Sequence, residues 1–340
     1  ENKFNVSINF EQKFDFLTKG LSLTALVNWN NWSYSTYNRS LKPYLYRVTP
    51  DSYNVVADRY GLDILQEGET YINQSDVYKT SDNLFYFDAR INYNRSFGNH
   101  TVTGMLMYMM RQYRNNVLPS RNQGLSGRVT YDYDKRYLAE VNFGYNGTER
   151  LAKGERFELF PAISLGWVVS NEKFWAPLSN VVSHFKIRSS YGLVGSDETG
   201  GSGAPYYMYR YNVNLNGGPF FQSGVQSSWS YQYSGPLITT YPVENASWER
   251  SRQFDIGADI HLFRDLQIVF DYFYYRRERI LIERASFPDI MGYMGVKPWA
   301  NLGKVNNSGF ELSVNYRKQI TGDLTIDLRA NYTYTANKLV

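Results

Sequence analysis

Strict alternation of apolar and polar side chains over long segments is the feature that most constrains this chain. Between Gly127 and Gly147, apolar or aromatic residues occupy every second position of two runs, and charged or amide residues lie between them. A two-residue period is that of a β-strand, whose successive side chains point to opposite faces of a sheet. The polar stretch at 133–136 separates the two runs, so the segment predicts a hairpin with one apolar and one polar face.

The same alternation predicts about twelve strands, many of which reach ten or more residues. A strand in a soluble sheet has about 5–6 residues, whereas a strand that crosses a bilayer at a tilt needs about 9–11. These lengths favour a membrane barrel. The approximate predicted positions are 4–10, 21–29, 84–97, 101–113, 127–133, 137–145, 158–170, 184–193, 250–262, 266–275, 309–317 and 324–335.

The predicted connections alternate between short and long. Outer-membrane barrels have tight turns at one end and long loops at the other, with aromatic residues near both interfaces. Tyr and Trp do collect near predicted strand ends here. A soluble β protein with its apolar side chains inside remains the alternative, because periodicity alone does not separate the two. The short connections are 11–20, 97–100, 133–136, 171–183, 263–265 and 318–323; the longer ones are 33–83, 114–123, 146–157, 194–247 and 276–308.

Composition excludes some classes of function. Basic and acidic residues number 36 and 32, are interspersed and form no Lys/Arg block, so no nucleic-acid partner is expected. The chain has no Cys, which suits a protein that crosses an oxidising compartment. It also begins and ends inside predicted strands, from which we expect that the closing strands of a barrel are missing.

One string of motifs resembles a known family. Residues 146–175 read NGTERLAKGERFELFPAISLGWVVSNEKFW, preceded by GLSGRVTYDYDKRYLAEVNFGYNG and followed by FKIRSSYGLVGSDE. WERSRQFDIGADIHLFRDLQIVFDYFYYRRERIL and NLGKVNNSGFELSVNYR come later. In order and spacing these motifs resemble the SusC/RagA type of TonB-dependent outer-membrane transporter from Bacteroidetes. The resemblance covers roughly 120–340, and the first hundred residues fit only generically.

The resemblance implies an all-β fold, part of an antiparallel transmembrane barrel of about 22 strands with a plug in its lumen. Residues 1–340 would be a partial barrel domain that supplies about twelve of those strands, without the plug or the TonB-contacting segment. The whole protein would import an oligosaccharide or peptide across the bacterial outer membrane, with energy transmitted by TonB through the plug. A SusD-like surface lipoprotein would cover the barrel as a lid, and lipid would surround it.

Two aromatic-rich loops are the candidate sites for ligand or lid binding. Aromatic faces stack on sugar rings or peptide side chains at low entropic cost. The alternative is that each loop packs on its own aromatic residues. The candidates in 194–247 are Tyr206, Tyr207, Tyr209, Tyr211, Trp229, Tyr231 and Tyr233, and those assigned to the loop at 33–83 are Trp32, Tyr34 and Tyr37.

Charged residues of the polar register are expected to face the wet lumen of a barrel. They are Arg90, Arg128, Asp132, Glu140, Asp255, Asp259, Glu311, Asp327 and Arg329.

No catalytic set is expected, and no cofactor. Glu155 and Glu158 are the nearest approach to paired carboxylates, but nothing in the sequence fixes them across a cleft as a glycosidase requires. His100, His184 and His261 are scattered and make no metal-ligand pattern. Two rivals to an importer stay open: a passive porin or adhesin barrel without energy coupling, and a soluble carbohydrate-binding β protein.

Overall fold

A single antiparallel sheet of twelve long strands dominates the computed structural model of the chain. The structure describes residues 1–115, 117–198, 205–218, 220–222, 232–243, 245–284 and 298–340, with backbone only for 220–222 and 232–233. The strands neighbour one another in chain order, which confirms the predicted all-β fold. They are β1 Asn2–Lys13, β2 Leu21–Thr36, β3 Tyr78–Phe97, β4 His100–Arg114, β5 Ser120–Tyr133, β6 Tyr137–Thr148, β7 Phe157–Val168, β8 Val182–Ser196, β9 Glu249–Leu262, β10 Leu266–Glu283, β11 Trp299–Gln319 and β12 Thr325–Leu339.

The strand register from β5 to β12 separates a mostly polar face from a mostly apolar face. Glu140 lies directly opposite Thr130 and Ser164, and the next residue, Val141, lies opposite Val129. Residues directly opposite each other on neighbouring strands share a face. The pairing therefore aligns polar positions with polar positions and apolar positions with apolar positions on neighbouring strands.

Among the described residues, nothing covers most of the apolar face. Val129, Val141 and Leu165 keep 54%, 53% and 58% of their surface exposed. A sheet in a soluble domain buries its apolar face against another layer, whereas a membrane barrel turns that face to lipid. The exposed apolar face therefore fits a strand wall in a bilayer.

Several strands are longer than predicted, so the predicted loops around them are too long. β2 continues to Thr36 and β3 begins at Tyr78, which shortens the loop predicted at 33–83 to 37–77. Likewise the connection between β10 and β11 is 284–298 rather than 276–308. Cross-strand pairing maintains these strand ends where the alternation in the sequence fades.

The predicted short–long alternation of connections is wrong at one place. The connection between β6 and β7 spans only 149–156, whereas the supposedly shorter one between β7 and β8 spans 169–181 and holds two 3₁₀-helices, Val169–Asn171 and Lys173–Leu178. Trp175 explains the length of the second segment, because its ring stacks on Phe185 at 5.5 Å and its Nε1 donates to the Val182 carbonyl at 3.0 Å. The segment thus folds back on β8 as packed structure.

The chain divides into two compact units. The first unit contains 1–6, 28–85 and 113–119, and the second contains 7–27, 86–112 and 120–340. In the first unit the loop 37–77 is closed by a backbone hydrogen bond from Ser75 to the Asn38 carbonyl at 2.8 Å. It contains two short strand pairs, Arg39–Ser40 with Asn73–Gln74 and Leu45–Val48 with Leu62–Gln66.

A small core in the second unit holds its longest loop in place. The buried side chains of this core are Leu151, Phe160, Met208, Ala246, Trp248 and Leu281. Phe160 meets Trp248 edge to face at 5.4 Å, and Trp248 Nε1 donates to the Arg156 carbonyl at 3.0 Å. The core therefore joins the β6–β7 connection, the sheet and the segment 197–248. None of the helices among the described residues is long and apolar enough to span a membrane.

Candidate functional site

The polar face of β5 to β12 is the first element of the site. The strand register brings eight of the nine predicted lumen-facing residues to this one face: Arg128, Asp132, Glu140, Asp255, Asp259, Glu311, Asp327 and Arg329. Arg128 Nη2 donates to Glu140 Oε1 at 2.9 Å, and Asn142 Nδ2 donates to the same oxygen at 2.6 Å. Arg128 and Glu140 are thus joined across two strands, whereas Arg329 pairs with Asp327 within its own strand.

Three residues that were not predicted, Arg188, Asp271 and Tyr275, make hydrogen bonds on this face. Arg188 of β8 donates to Asp259 at 3.4 Å and to Asp271 of β10 at 2.7 Å. Tyr275 donates to Asp255 at 2.9 Å beside them. The alternation in 184–193, which puts Lys186 and Arg188 in one register, was the signal that could have identified Arg188.

Arg90, the ninth predicted residue, pairs within its own strand. Its Nε and Nη2 donate to the two carboxylate oxygens of Asp88 at 2.8 and 3.1 Å. Asp88 is only 2% exposed. A bidentate Arg–carboxylate pair satisfies both oxygens of a buried acid, which would otherwise be costly to desolvate.

The aromatic residues of the second unit's long loop lie against the sheet end rather than free of it. Tyr206 and Tyr207 meet edge to face at 4.8 Å, and Tyr207 meets Tyr209 at 6.2 Å. The Arg156 side chain donates to the Tyr209 hydroxyl at 3.4 Å. Among the four candidate tyrosines whose side chains are described, Tyr211 is the exposed one, with 65% of its surface exposed. Trp229 and Tyr231 lie outside the described residues, and Tyr233 is described by its backbone alone, which pairs with Phe221.

Met208 fixes this aromatic segment. Its side chain is 1% exposed in the core of the second unit. Its backbone N–H donates to the Arg150 carbonyl at 3.2 Å, and its carbonyl accepts from the Val243 N–H at 2.6 Å. Residues 206–209 therefore pack against the β6–β7 connection and the sheet.

Burial raises the pKa of two packed tyrosines. It raises the pKa of Tyr206, and the Asp197 carboxylate acts in the same direction, against the Ser120 hydrogen bond and Arg150. Burial is also the main cause of the raised pKa of Tyr207, assisted by Glu149. A tyrosine hydroxyl is already neutral at physiological pH, and the upward shifts keep both in the form that donates and accepts hydrogen bonds.

A cleft of about 390 Å³ opens between this segment and the end of β4, β5 and β6. Arg111, Arg150, Asp197 and Glu198 bring charges of both signs to its wall, together with amides such as Asn122. Asn122 Nδ2 donates to Asp197 Oδ2 at 3.1 Å, and the Arg150 guanidinium lies 5.3 Å from the centre of the Tyr206 ring. Such a wall can hydrogen-bond sugar hydroxyls or peptide groups and can stack on a flat ligand face.

The aromatic candidates of the first unit lie mainly in a strand. Trp32 and Tyr34 belong to β2, so their assignment to the following loop is wrong, because β2 stays paired beyond them. Their rings stack at 6.3 Å, and Trp32 Nε1 donates to Glu1 at 2.8 Å. Tyr37 does follow the strand, and the Arg39 guanidinium lies 5.3 Å from its ring centre.

The described residues offer little to a catalytic interpretation. Glu158 forms an ion pair with Arg250, and the backbone N–H of Glu155 donates to the Ala152 carbonyl at 3.0 Å. Within the described ranges, no group of three or more His, Cys, Asp and Glu side chains could hold a metal ion.

Comparisons with known proteins agree with this geometry. The family model described as TonB dependent receptor-like, beta-barrel matches residues 2–339. TonB-dependent receptor P3 of Formosa agariphila is 29% identical over 216 residues, which are 63% of this chain and 20% of that protein. TonB-dependent receptor SusC of Bacteroides thetaiotaomicron is 27% identical over 213 residues, again 63% of this chain and 20% of that protein.

Solved structures show the same fold. The RagAB peptide transporter structure superposes with a TM-score of 0.71 at 18% identity, covering 99% of this chain and 36% of that chain. The outer membrane transporter YddB of Escherichia coli gives a TM-score of 0.59 at 11% identity, over 99% and 42%. The chain thus spans about a fifth of the length of the curated relatives that it matches.

Proposed function

Because the chain belongs to the TonB-dependent receptor-like β-barrel family, we propose that it forms part of the wall of an importer for an oligosaccharide or peptide nutrient. The family consists of outer-membrane receptors and transporters rather than enzymes. In this proposal residues 1–340 are a partial barrel domain, and the nutrient passes along the polar face of its strands.

The observation that carries the proposal is the division of the sheet into two faces. One face holds cross-strand ion pairs such as Arg128–Glu140 and Arg188–Asp271. The other holds apolar side chains that nothing in the described chain covers, Val141 among them. Charged groups in a barrel lumen stay hydrated, whereas on the lipid face they would cost several kcal/mol. This arrangement supports a water-filled lumen on the polar face and lipid on the apolar face.

Energy coupling and a lid are the finer parts of the proposal. Both curated relatives are named TonB-dependent receptors, and this supports import that TonB energises through a plug. The likeness to SusC and to the RagAB transporter supports a SusD-like surface lipoprotein that closes over the loops. We place the lid contacts on the aromatic segment at Tyr206 to Tyr211.

The cleft at the loop end supports both substrate classes. Its charges of both signs suit the termini and side chains of a peptide, and its amides and the Tyr206 ring suit sugar hydroxyls and ring faces. The proposal therefore keeps oligosaccharide and peptide together and assigns capture to this cleft.

Co-purification tests the proposal directly. The protein that carries this chain is extracted from its own outer membrane in mild detergent, and whatever accompanies it is identified by mass spectrometry. We expect a stoichiometric surface lipoprotein and a bound glycan or peptide. A barrel that purifies alone would favour a passive porin or adhesin.

An uptake assay separates active import from passive flow. Cells are given the labelled glycan or peptide that the first experiment identifies, with and without a protonophore. TonB-energised import stops when the proton gradient is dissipated, so accumulation should fall to background. Uptake that continues unchanged with the protonophore would contradict energy coupling.

A further inference from the structure

Two histidines far apart in sequence form a close pair on the polar face. His184 of β8 lies directly opposite His261 of β9 in the strand register. Their ring centres are 4.9 Å apart and the ring planes are tilted by 48°. Directly opposed side chains on neighbouring strands are the closest contacts across a sheet, so the two imidazoles lie side by side on the same face.

The backbone at this spot departs from regular pairing. The register between β8 and β9 shifts between Val182 and His184. The Ser183 hydroxyl donates to the His261 carbonyl at 3.3 Å and ties the irregular strand to its partner. Bulges of this kind re-aim side chains and are frequent next to functional sites.

We propose that His184 and His261 together bind one divalent transition-metal ion, such as Zn²⁺ or Cu²⁺, on the polar face of the sheet. Zinc–imidazole bonds of about 2.0–2.1 Å put two coordinating nitrogens roughly 3.3 Å apart in tetrahedral geometry. Rings whose centres are 4.9 Å apart permit that separation. Two neutral imidazoles bind such ions well and bind Mg²⁺ or Ca²⁺ poorly.

The neighbouring groups tolerate a dication. Lys186 and Asp259 are the next residues on this face along the two strands and lie opposite each other. Asp259 also pairs with Arg188, whose second partner is Asp271, so two basic and two acidic groups offset one another. Gln267 of β10 lies opposite His261 on the other side and brings no charge. Since the described residues supply no third His, Cys, Asp or Glu to the pair, water fills the remaining positions and the ion is exchangeable. This site is independent of the proposed import function.

Titration with Zn²⁺ tests the site. The detergent-solubilised protein that carries this chain, prepared without a histidine tag, is titrated calorimetrically, and each of the chain's three His is substituted in turn. We expect one saturable Zn²⁺ per chain, weakened at least tenfold by either His184→Asn or His261→Asn. His100→Asn is the matched control, because His100 contacts the Tyr131 hydroxyl at 2.7 Å and should leave binding unchanged.

Electron paramagnetic resonance of bound Cu²⁺ reads out the ligands themselves. The unsubstituted protein should show splitting from two nitrogens, and each single variant should show one. Circular dichroism confirms that the variants remain folded. Three results would each overturn the proposal. They are the absence of saturable binding, binding that survives when His184 and His261 are both replaced by Asn, and an equal loss of binding in His100→Asn.

Discussion

Arg188 and Asp271 form an ion pair that reaches over an entire strand. Arg188 lies on β8 and Asp271 on β10, yet Nη2 approaches Oδ2 to 2.7 Å. The residue between them on β9 is Gly257, which the register places opposite both. A Cβ at Gly257 would lie 2.2 Å from Asp271 Oδ1 and 3.0 Å from Arg188 Cζ. The missing side chain is therefore what lets the two charges meet.

Gly257→Ala should break this pair. We expect a loss of about 1–3 kcal/mol in the free energy of unfolding, the usual cost of overpacking, measured by urea titration in lipid vesicles. In an Arg188→Ala background the cost should shrink, because part of the steric conflict is already removed. Gly104→Ala is the control, since a Cβ there meets only ordinary contacts at 3.9 Å and beyond. Equal costs at both glycines would contradict this explanation.

Lysine substitutions test which face meets lipid. Val141→Lys on the apolar face should destabilise the refolded protein by about 2–4 kcal/mol near the bilayer midplane. Ile326→Lys on the same face should cost less, because Ile326 is the second residue of β12 and the penalty falls towards the interface. Ser126→Lys on the polar face should cost little, because its ammonium stays in water. Folding titrations in vesicles give all three values. If Ser126→Lys costs as much as Val141→Lys, the assignment of faces is wrong.

Met208→Ala should loosen the aromatic segment that it anchors. Truncation of a fully buried Met costs about 2–5 kcal/mol, and here the loss falls mainly on the loop 197–248. Limited proteolysis of the folded protein should therefore cut this loop faster. Tyr211→Ala, at a side chain that is 65% exposed, should leave the cutting rate unchanged. A Met208→Ala protein as resistant as its parent would remove Met208 as the anchor.

Glu172 should give the 169–181 segment a stability that depends on pH. Its pKa is lowered chiefly by the hydrogen bond from Tyr137, with Trp167 and Arg136 adding to it and burial opposing it. A lowered folded pKa stabilises the fold fully above the ordinary value of 4.5, and this contribution disappears as the pH falls through the lower folded value.

The matching experiment compares Glu172→Gln with the unsubstituted protein. The difference between their free energies of unfolding should stay constant from neutral pH to about pH 5 and shrink below it. A difference that does not change down to pH 3 would show that the ionised carboxylate is not what matters.

Strand positions and facing were predictable because they depend on local alternation. Glu140 and Val141 are neighbours in sequence and lie on opposite faces, as the two-residue period of a strand predicts. The end of β2 at Thr36 was missed because residues 30–36 mix small polar and aromatic side chains, so pairing with neighbouring strands rather than pattern maintains it. Strand existence is a local property, whereas strand length depends on partners.

Features that depend on register between distant segments could not be predicted. The Arg188–Asp271 pair needs three strands aligned at Gly257, and the His184–His261 contact needs two. Met208 stands alone among tyrosines in a long loop and gives no periodic signal of burial. These positions carry much of the candidate site. Alternation could have placed Arg188 on the polar face, but its partner on β10 depends on the register of three strands.

The central claim, that the two sheet faces meet different solvents, is tested most directly by spin labels. The chain has no Cys, so single cysteines can be placed at successive positions from 139 to 145 in β6 and labelled in the protein in lipid vesicles. Accessibility to oxygen, which concentrates in lipid, should peak at 139, 141, 143 and 145, and accessibility to a water-soluble nickel chelate should peak at 140, 142 and 144. Flat or reversed profiles would contradict a wall with lipid on one side and water on the other.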